Sequence, residues 1–353
     1  MTLTHNPVLC DRFLAHAVVQ WQNQFGRHDL PWQNTRDPYR VWLSEIMLQQ
    51  TQVVTVCDYY LRFLGRFPDV LTLANASLDD VLALWAGLGY YSRARNLHRC
   101  AQQVASVYDG HFPQTALQLE TLPGIGRSTA AAIASLCFAQ RTAILDGNVK
   151  RVLTRYLGFA GDLALTPQVR RLWDEATQQL PVEALSINMP RYTQGMMDLG
   201  ASICSSRQPR CCDCPLASRC VAHKLGKAEQ FPVLTRKLKR TAQSLWLLWA
   251  QTPDDMIYLT RRPTPGVWAG LYALPMFEDR AALQAALPAK LQQALLDMPV
   301  IKHVLTHKDL YLHPVFVLLP SRFKEQLGAD WYGPAQRQKL GLPAPVKKLL
   351  NPV

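Results

Sequence analysis

The chain has no uninterrupted apolar stretch of about 18 residues, so a membrane-spanning helix is not expected. Its first 24 residues include His5, Asp11, Arg12 and His16 and hold no continuous apolar segment. No secretory signal is expected from them, and the sequence reads as that of a cytoplasmic protein. Internal repeats and low-complexity segments are also missing, which excludes solenoids and compositionally driven disorder. Acidic residues are in short supply, 26 against 38 lysines and arginines, for a net charge of +12. That excess suits a polyanionic partner such as nucleic acid. Isolated cysteines (Cys10, Cys57, Cys100 and Cys137) read as buried thiols in a reducing compartment. The other five of the nine crowd into residues 204–220.

What remains is globular. Hydrophobic residues make up 48% and charged residues 18% of 353 positions, enough for two domains with proper cores. Residues 1–225 read as a mainly α domain. Helical periodicity runs over 40–60, 78–88, 93–108, 127–138, 148–157 and 167–180, with breakers at Phe112-Pro113, Leu122-Pro123-Gly124 and Leu180-Pro181. Residues 226–243, with Lys227, Arg236, Lys237, Lys239 and Arg240, suit a basic linker. The tail, 244–353, has strand-like segments at 244–250, 256–261, 270–275 and 300–319 around a helix at 281–296, predicting a small α+β domain.

Cys204, Cys211, Cys214 and Cys220 are spaced C-x6-C-x2-C-x5-C. Thiolates bind soft metals, and a Cys-x-x-Cys pair puts two sulfurs on one metal centre. Structural zinc is an alternative, but the spacing departs from two-pair zinc patterns and favours an iron–sulfur cluster. Cys212 is left as a non-ligand, because using it breaks the x2 pair. Arg207, Arg210 and Arg219 make the loop a presenter of positive charge. The turn Leu122-Pro123-Gly124-Ile125-Gly126-Arg127-Ser128-Thr129-Ala130 follows no strand, so it is not a dinucleotide fingerprint. Two glycines opening a helix instead bare backbone N–H groups at a positive helix end, where a phosphate can bind. Residues 115–137 thus read as a helix-hairpin-helix.

Two carboxylates stand out. Glu45 lies one helical turn from Val41, Trp42, Leu48 and Gln49, so its carboxyl should be desolvated and its pKa raised, as a general acid requires. Asp146 precedes Gly147 at a helix start, where an Asp is usually only a cap.

The segments Pro38-Tyr39-Arg40-Val41-Trp42-Leu43-Ser44-Glu45-Ile46-Met47-Leu48-Gln49-Gln50-Thr51-Gln52 and Leu145-Asp146-Gly147-Asn148-Val149-Lys150-Arg151-Val152, with the Gly hairpin and the cysteine loop, resemble the MutY-type adenine DNA glycosylases of the endonuclease III-like helix-hairpin-helix superfamily. The likeness continues at Gly266-Val267-Trp268-Ala269-Gly270-Leu271-Tyr272 and Leu305-Thr306-His307, so it covers nearly the whole chain. It implies a helix-hairpin-helix glycosylase with one [4Fe-4S] cluster on Cys204, Cys211, Cys214 and Cys220, and a Nudix-like tail. The implied substrate is double-stranded DNA with adenine opposite 8-oxoguanine or guanine, handled by a monomer.

Carried over by the resemblance, Glu45 would protonate a flipped adenine at N7, and Asp146 would stabilise the oxocarbenium-like sugar. Gln50 and Tyr90 would wedge into the gap, and Trp32 and Gln194 would line the adenine pocket. Gly124, Gly126, Ser128 and Asn148 would contact the DNA, and Thr306 and His307 would meet the opposite base. Strand-cutting relatives have a Lys at the position of Ser128 for a Schiff base, and a Ser forms no imine, so base removal without efficient strand cleavage is expected. Residues 276–297 lack the Glu-rich helix a Nudix hydrolase needs, offering only Glu278, Asp279 and Asp297. Two rivals stand beside this reading: an endonuclease III-like pyrimidine glycosylase/lyase, against which Ser128 and the long tail argue, and a non-catalytic protein that binds damaged DNA.

Overall fold

The computed structural model describes residues 12–235, 239–320, 327 and 330–350. Readings made above at His5, Cys10, Asp11, Arg236 and Lys237 lie outside the described residues. The chain divides into two compact units. One comprises Met1–Leu61, Asp69–Leu71 and Arg99–Lys237; the other comprises Arg62–Pro68, Thr72–His98 and Leu238–Val353.

The helices run α1 (Phe13–Phe25), α2 (Pro38–Leu48), α3 (Val53–Arg66), α4 (Val70–Asn75), α5 (Leu78–Trp85), α6 (Ser92–Val107), α7 (Ala116–Leu119), α8 (Arg127–Phe138), α9 (Gly147–Leu157), α10 (Thr166–Gln178), α11 (Leu185–Ser202) and α12 (Val221–Lys224). The first unit is built around α11, which packs on α1, α8 and α9. Its core gathers Leu14 and Val18 of α1, Val149, Val152 and Leu153 of α9, and Met189, Met196 and Leu199 of α11. Close approach depends on two glycines of α11. A Cβ on Gly195 would sit 2.7 Å from Val18 Cγ1, and one on Gly200 would sit 2.6 Å from the Cβ of Asn148.

Local sequence explains the boundaries that matter to the site. Asp37 caps α2 by accepting from the Tyr39 N–H, and Pro38 occupies the first turn, where no donor is needed. Residues 40–60, expected as one helix, are two. The chain leaves helical geometry after Leu48, and Gln50 takes a left-handed φ of 58° before α3 begins. Of the thiols read as buried, Cys100 and Cys137 are, whereas Cys57 is only half-buried.

In the second unit, strands β1 (Thr241–Gln251), β2 (Ile257–Tyr258), β3 (Thr260–Arg261), β4 (Tyr272–Ala273), β5 (Met276–Phe277), β6 (Leu296–Asp297), β7 (Ile301–Val304), β8 (Lys308–Leu318) and β9 (Trp331–Tyr332) follow in order. Among the described residues, the main sheet is mixed and runs β6-β8-β1-β2-β9, with β5 on β1 and β7 on β8. Its spine is the parallel β1–β8 pair, in register from Thr241↔Lys308 to Gln251↔Leu318. Leu248, Ala250, Val315 and Val317 from that spine close a core with Leu283, Leu287 and Trp331. The helix expected over 281–296 is instead α13 (Arg280–Ala285) and α14 (Ala289–Gln292), parted by Pro288, which has no N–H to continue a helix. The strand expected over 300–319 folds back as the β7–β8 hairpin, with Leu305, Thr306 and His307 at its tip.

Residues 62–68 and 72–98, read from sequence as part of the helical domain, pack with the tail. The reason is long-range: Arg95 Nη1 donates to the Ala269 carbonyl at 2.6 Å, Arg261 pairs with Asp79 at 2.9 Å, and a Cβ on Gly341 would lie 2.8 Å from that of Leu82. No helix among the described residues is long and apolar enough to cross a membrane.

Candidate active site

Glu45 stands near the end of α2, flanked by buried Trp42, Ser44 and Ile46. Its own side chain is half-buried and faces a cavity of about 440 Å³. Asp146, the N-cap of α9, opens onto the same cavity, as do Trp32, Gln50, Ser128, Asn148 and Gln194. All of these belong to the first unit. The break after Leu48 turns the backbone at Gln49 and Gln50 along the cavity wall, where Gln49 Nε2 reaches Thr129 Oγ1 at 3.4 Å.

The two carboxyls differ in their surroundings. Burial pushes Glu45 up to about 7, and the negative charge of Asp146 adds to the rise. No described residue donates a hydrogen bond to Glu45. Burial raises Asp146 as well, but the Val149 N–H, the Arg151 charge, the Asn148 N–H and Lys150 pull it back. The Val149 N–H reaches Asp146 Oδ1 at 2.8 Å, so helix-end donors already solvate that anion. Burial thus raises both carboxyls, and only at Asp146 do hydrogen-bond donors and positive charge oppose the rise.

The hairpin turns on Gly124, at φ 78°, and hands over to α8 at Gly126, the N-cap. No side chain caps α8, and a Cβ on Gly126 would meet nothing within 4 Å, so the first turn is open to an anion. Ser128 Oγ accepts the Leu145 N–H at 3.0 Å, which ties the hairpin to the segment carrying Asp146.

Tyr90, Thr306 and His307 lie in the second unit and are not part of the cavity wall. Tyr90 has a left-handed φ of 48°, is 42% exposed, and its hydroxyl lies 2.7 Å from Thr306 Oγ1. Arg240 braces the hairpin tip, with Nη2 on the Leu305 carbonyl at 2.9 Å and Nη1 on that of Thr306 at 3.4 Å. Of the tail's acids, Asp279 caps α13 through the Ala282 N–H at 2.7 Å, and Asp297 pairs with Arg280 at 2.9 Å.

Sequence reading passed over Arg27, Thr129 and Met197, which line the cavity, and the buried Asp198 behind it. A signal for Asp198 was there. An acid within the apolar run Met196-Met197-Asp198-Leu199 has to find partners when buried.

Cys204, Cys211, Cys214 and Cys220 line one pocket with Val152, Tyr156, Ile203 and Leu216, whereas Cys212 is exposed and outside it. Burial pushes Cys214 up to about 12 and raises Cys211 and Cys220, so nearby positive charge is needed to hold them as thiolates. Arg155 meets that need in part, with Nη1 3.3 Å from Cys204 Sγ. Among the described residues, no three His, Cys, Asp or Glu side chains converge on a single ion. Of the loop arginines, Arg210 pairs with Asp213 and Arg219 stacks over Phe13, while Arg207 is exposed.

Residues 43–265 match the HhH-GPD superfamily of base excision DNA repair proteins, and residues 246–352 match the NUDIX domain. An adenine DNA glycosylase from Buchnera aphidicola subsp. Acyrthosiphon pisum is 38% identical over 342 residues, covering 96% of each chain. The chain belongs to the adenine DNA glycosylase family. The human adenine DNA glycosylase is 44% identical over 223 residues, which cover 61% of this chain and 40% of the human one. The helical fold is that of a thermostable thymine-DNA glycosylase, with a TM-score of 0.53 and 28% identity over 60% of this chain and 95% of that one. It is also that of endonuclease III in a non-covalent DNA complex, with a TM-score of 0.50 and 21% identity over 61% and 95%. The family activity is hydrolysis of the N-glycosidic bond of adenine in DNA. Endonuclease III and MutY relatives typically carry a [4Fe-4S] cluster.

Proposed function

We propose that this adenine DNA glycosylase acts, as a cytoplasmic monomer, on adenine mispaired with 8-oxoguanine or guanine in duplex DNA. The observation that carries the residue assignment is the shared cavity of Glu45 and Asp146, two carboxyls in unlike surroundings. Glu45, protonated near neutral pH, delivers its proton to N7 of the flipped adenine and makes the base a leaving group. Asp146, whose Oδ1 accepts from the Val149 N–H, faces the positive charge that develops on the sugar. One of the two then assists the incoming water. Trp32 and Gln194 border the base, while Gln50 and Tyr90 fill the space it vacates. Gly124, Gly126 and Asn148 grip the strand through its phosphates. Ser128 is already engaged with the Leu145 N–H and forms no imine, so the strand stays intact.

Cys204, Cys211, Cys214 and Cys220 would hold one [4Fe-4S] cluster. The four sulfurs share one pocket, and their C-x6-C-x2-C-x5-C spacing departs from two-pair zinc patterns. When bound, it supplies iron–thiolate bonds that pin the loop. Residues 1–225 would be the catalytic domain, 226–243 a basic linker, and 244–353 the part that reads the opposite base through Thr306 and His307. The tail's Asp279 and Asp297 are occupied locally, which argues against nucleotide hydrolysis.

The test is single-turnover release of adenine from duplexes with 8-oxoguanine, G, C or T opposite it. Release with the first two is expected, and equal inactivity on all four would overturn the proposal. A borohydride-trapped DNA adduct in appreciable yield would overturn the assignment as a monofunctional enzyme.

A further inference from the structure

Asp198, on α11, is fully buried, and among the described residues every hydrogen bond to its carboxylate comes from a donor on the cavity wall. The Arg27 backbone N–H reaches Oδ2 at 3.1 Å, Arg27 Nε reaches Oδ1 at 2.7 Å and Nη2 the same oxygen at 2.6 Å, and Gln194 Nε2 arrives at 3.0 Å. A carboxylate only accepts. The two ends of a glutamine amide are ordinarily hard to tell apart, but here the chemistry decides. Gln194 has to turn its NH2 to Asp198, which leaves its carbonyl oxygen as the group it can offer a ligand.

We infer that Asp198 is a positioning residue that locks the Gln194 amide in the orientation that accepts a hydrogen bond from the exocyclic amine of the bound base. The inference rests on the adenine-excising reading given above. An amine at the purine 6-position donates to that oxygen. A 6-oxo group presents a second acceptor and is repelled, and a bare C–H leaves the oxygen unpaired. The lock therefore converts a residue of ambiguous hydrogen-bonding sense into a reader of 6-amino purines. Arg27 follows Gly26, where α1 ends, and its three bonds anchor Asp198 to that terminus.

The substitution Asp198→Asn introduces a donor into a site where four donors already converge. The least disruptive relief is for the Gln194 amide to turn over and present its NH2 to the base. The experiment uses the full chain and measures single-turnover release from duplexes carrying adenine, unsubstituted purine or hypoxanthine, each opposite the same base. Wild type, Asp198→Asn, Gln194→Met and the double variant are compared. In Asp198→Asn, adenine release is expected to fall by roughly tenfold or more, with a much smaller change for purine, because a mis-set polar group discriminates against the partner it was built for. The adenine-to-purine ratio therefore drops, and in the Gln194→Met background Asp198→Asn lowers it no further.

A merely structural role would lower both substrates alike, and an unchanged ratio in Asp198→Asn overturns the lock. Should thermal melting show that Asp198→Asn does not fold, Gln194→Met decides: a lost preference for adenine supports the lock, and an unaltered ratio overturns it. Wild type that releases no adenine from any duplex would overturn the adenine reading itself, and the lock with it.

Discussion

Carboxylates are treated differently in the two compact units. In the first, Glu45 opens onto a cavity and accepts no hydrogen bond from a described residue, beside an Asp146 that accepts from the Val149 N–H. In the second, Asp279 caps a helix and Asp297 holds an arginine, so these two acids of the Nudix-like tail are absorbed into local structure. An acid serves chemistry where its surroundings leave a proton or lone pair facing open space. It serves stability where it lies away from the cavity and binds a local partner. By that criterion we propose that the first unit reacts and the second recognises.

The sharpest way to break this contrast is Glu45→Gln. The amide keeps shape but has no acidic proton, and the loss of general-acid catalysis should lower the single-turnover rate by about 10² to 10⁴ with duplex binding retained. A rate within a few-fold of wild type would show that Glu45 is not the acid. The pH profile gives the same test without mutation. With Glu45 pushed up to about 7 by burial and proposed to act when protonated, activity should fall as pH rises through about 7. Asp146 acts when ionised, and its protonation should close the acidic side. A rate that climbs steadily from pH 6 to 9 would reverse the two roles.

Much of the first unit could be read from its sequence, because its chemistry is carried by local motifs. Asp146 announces α9, Gly124 and Gly126 announce α8, and the cysteines are near neighbours. What could not be read is non-local or against periodicity. The apolar pattern of 40–60 runs on through Gln49 and Gln50, so nothing in it signals the left-handed turn that brings Gln50 to the cavity. Arg27 and Asp198 stand far apart in sequence, and only the packing of α1 on α11 brings them together. The second unit was less legible still. The grouping of residues 72–98 with the tail depends on Arg95, Asp79 and Leu82 finding partners that no spacing rule connects.

If the second unit recognises, its hairpin tip should matter modestly and selectively. Tyr90→Phe removes the hydroxyl that meets Thr306, at a cost of about 0.5–1.5 kcal/mol, a few-fold in rate or affinity. The effect should be larger opposite 8-oxoguanine or guanine than opposite C or T, and Thr306→Ala should add little once Tyr90 is changed. Equal losses for every opposite base would assign the contact to folding.

The smallest effect is expected at Asp279. Its side chain accepts the Ala282 N–H at the start of α13, and Asp279→Ala should cost about 1 kcal/mol of stability, read as a lower melting temperature. Adenine release at 25 °C should not change, since the lost cap lies outside the cavity wall and most of the protein stays folded. The same variant tests the contrast from the other side. Were the wild-type chain to hydrolyse nucleoside triphosphates with Mg²⁺ and Asp279→Ala to abolish it, the tail's acids would be catalytic. The division between a reacting and a recognising unit would then fail. Location points the other way: Asp279 is an exposed cap of α13 away from the cavity wall, whereas Asp146, also a helix cap, opens onto the cavity.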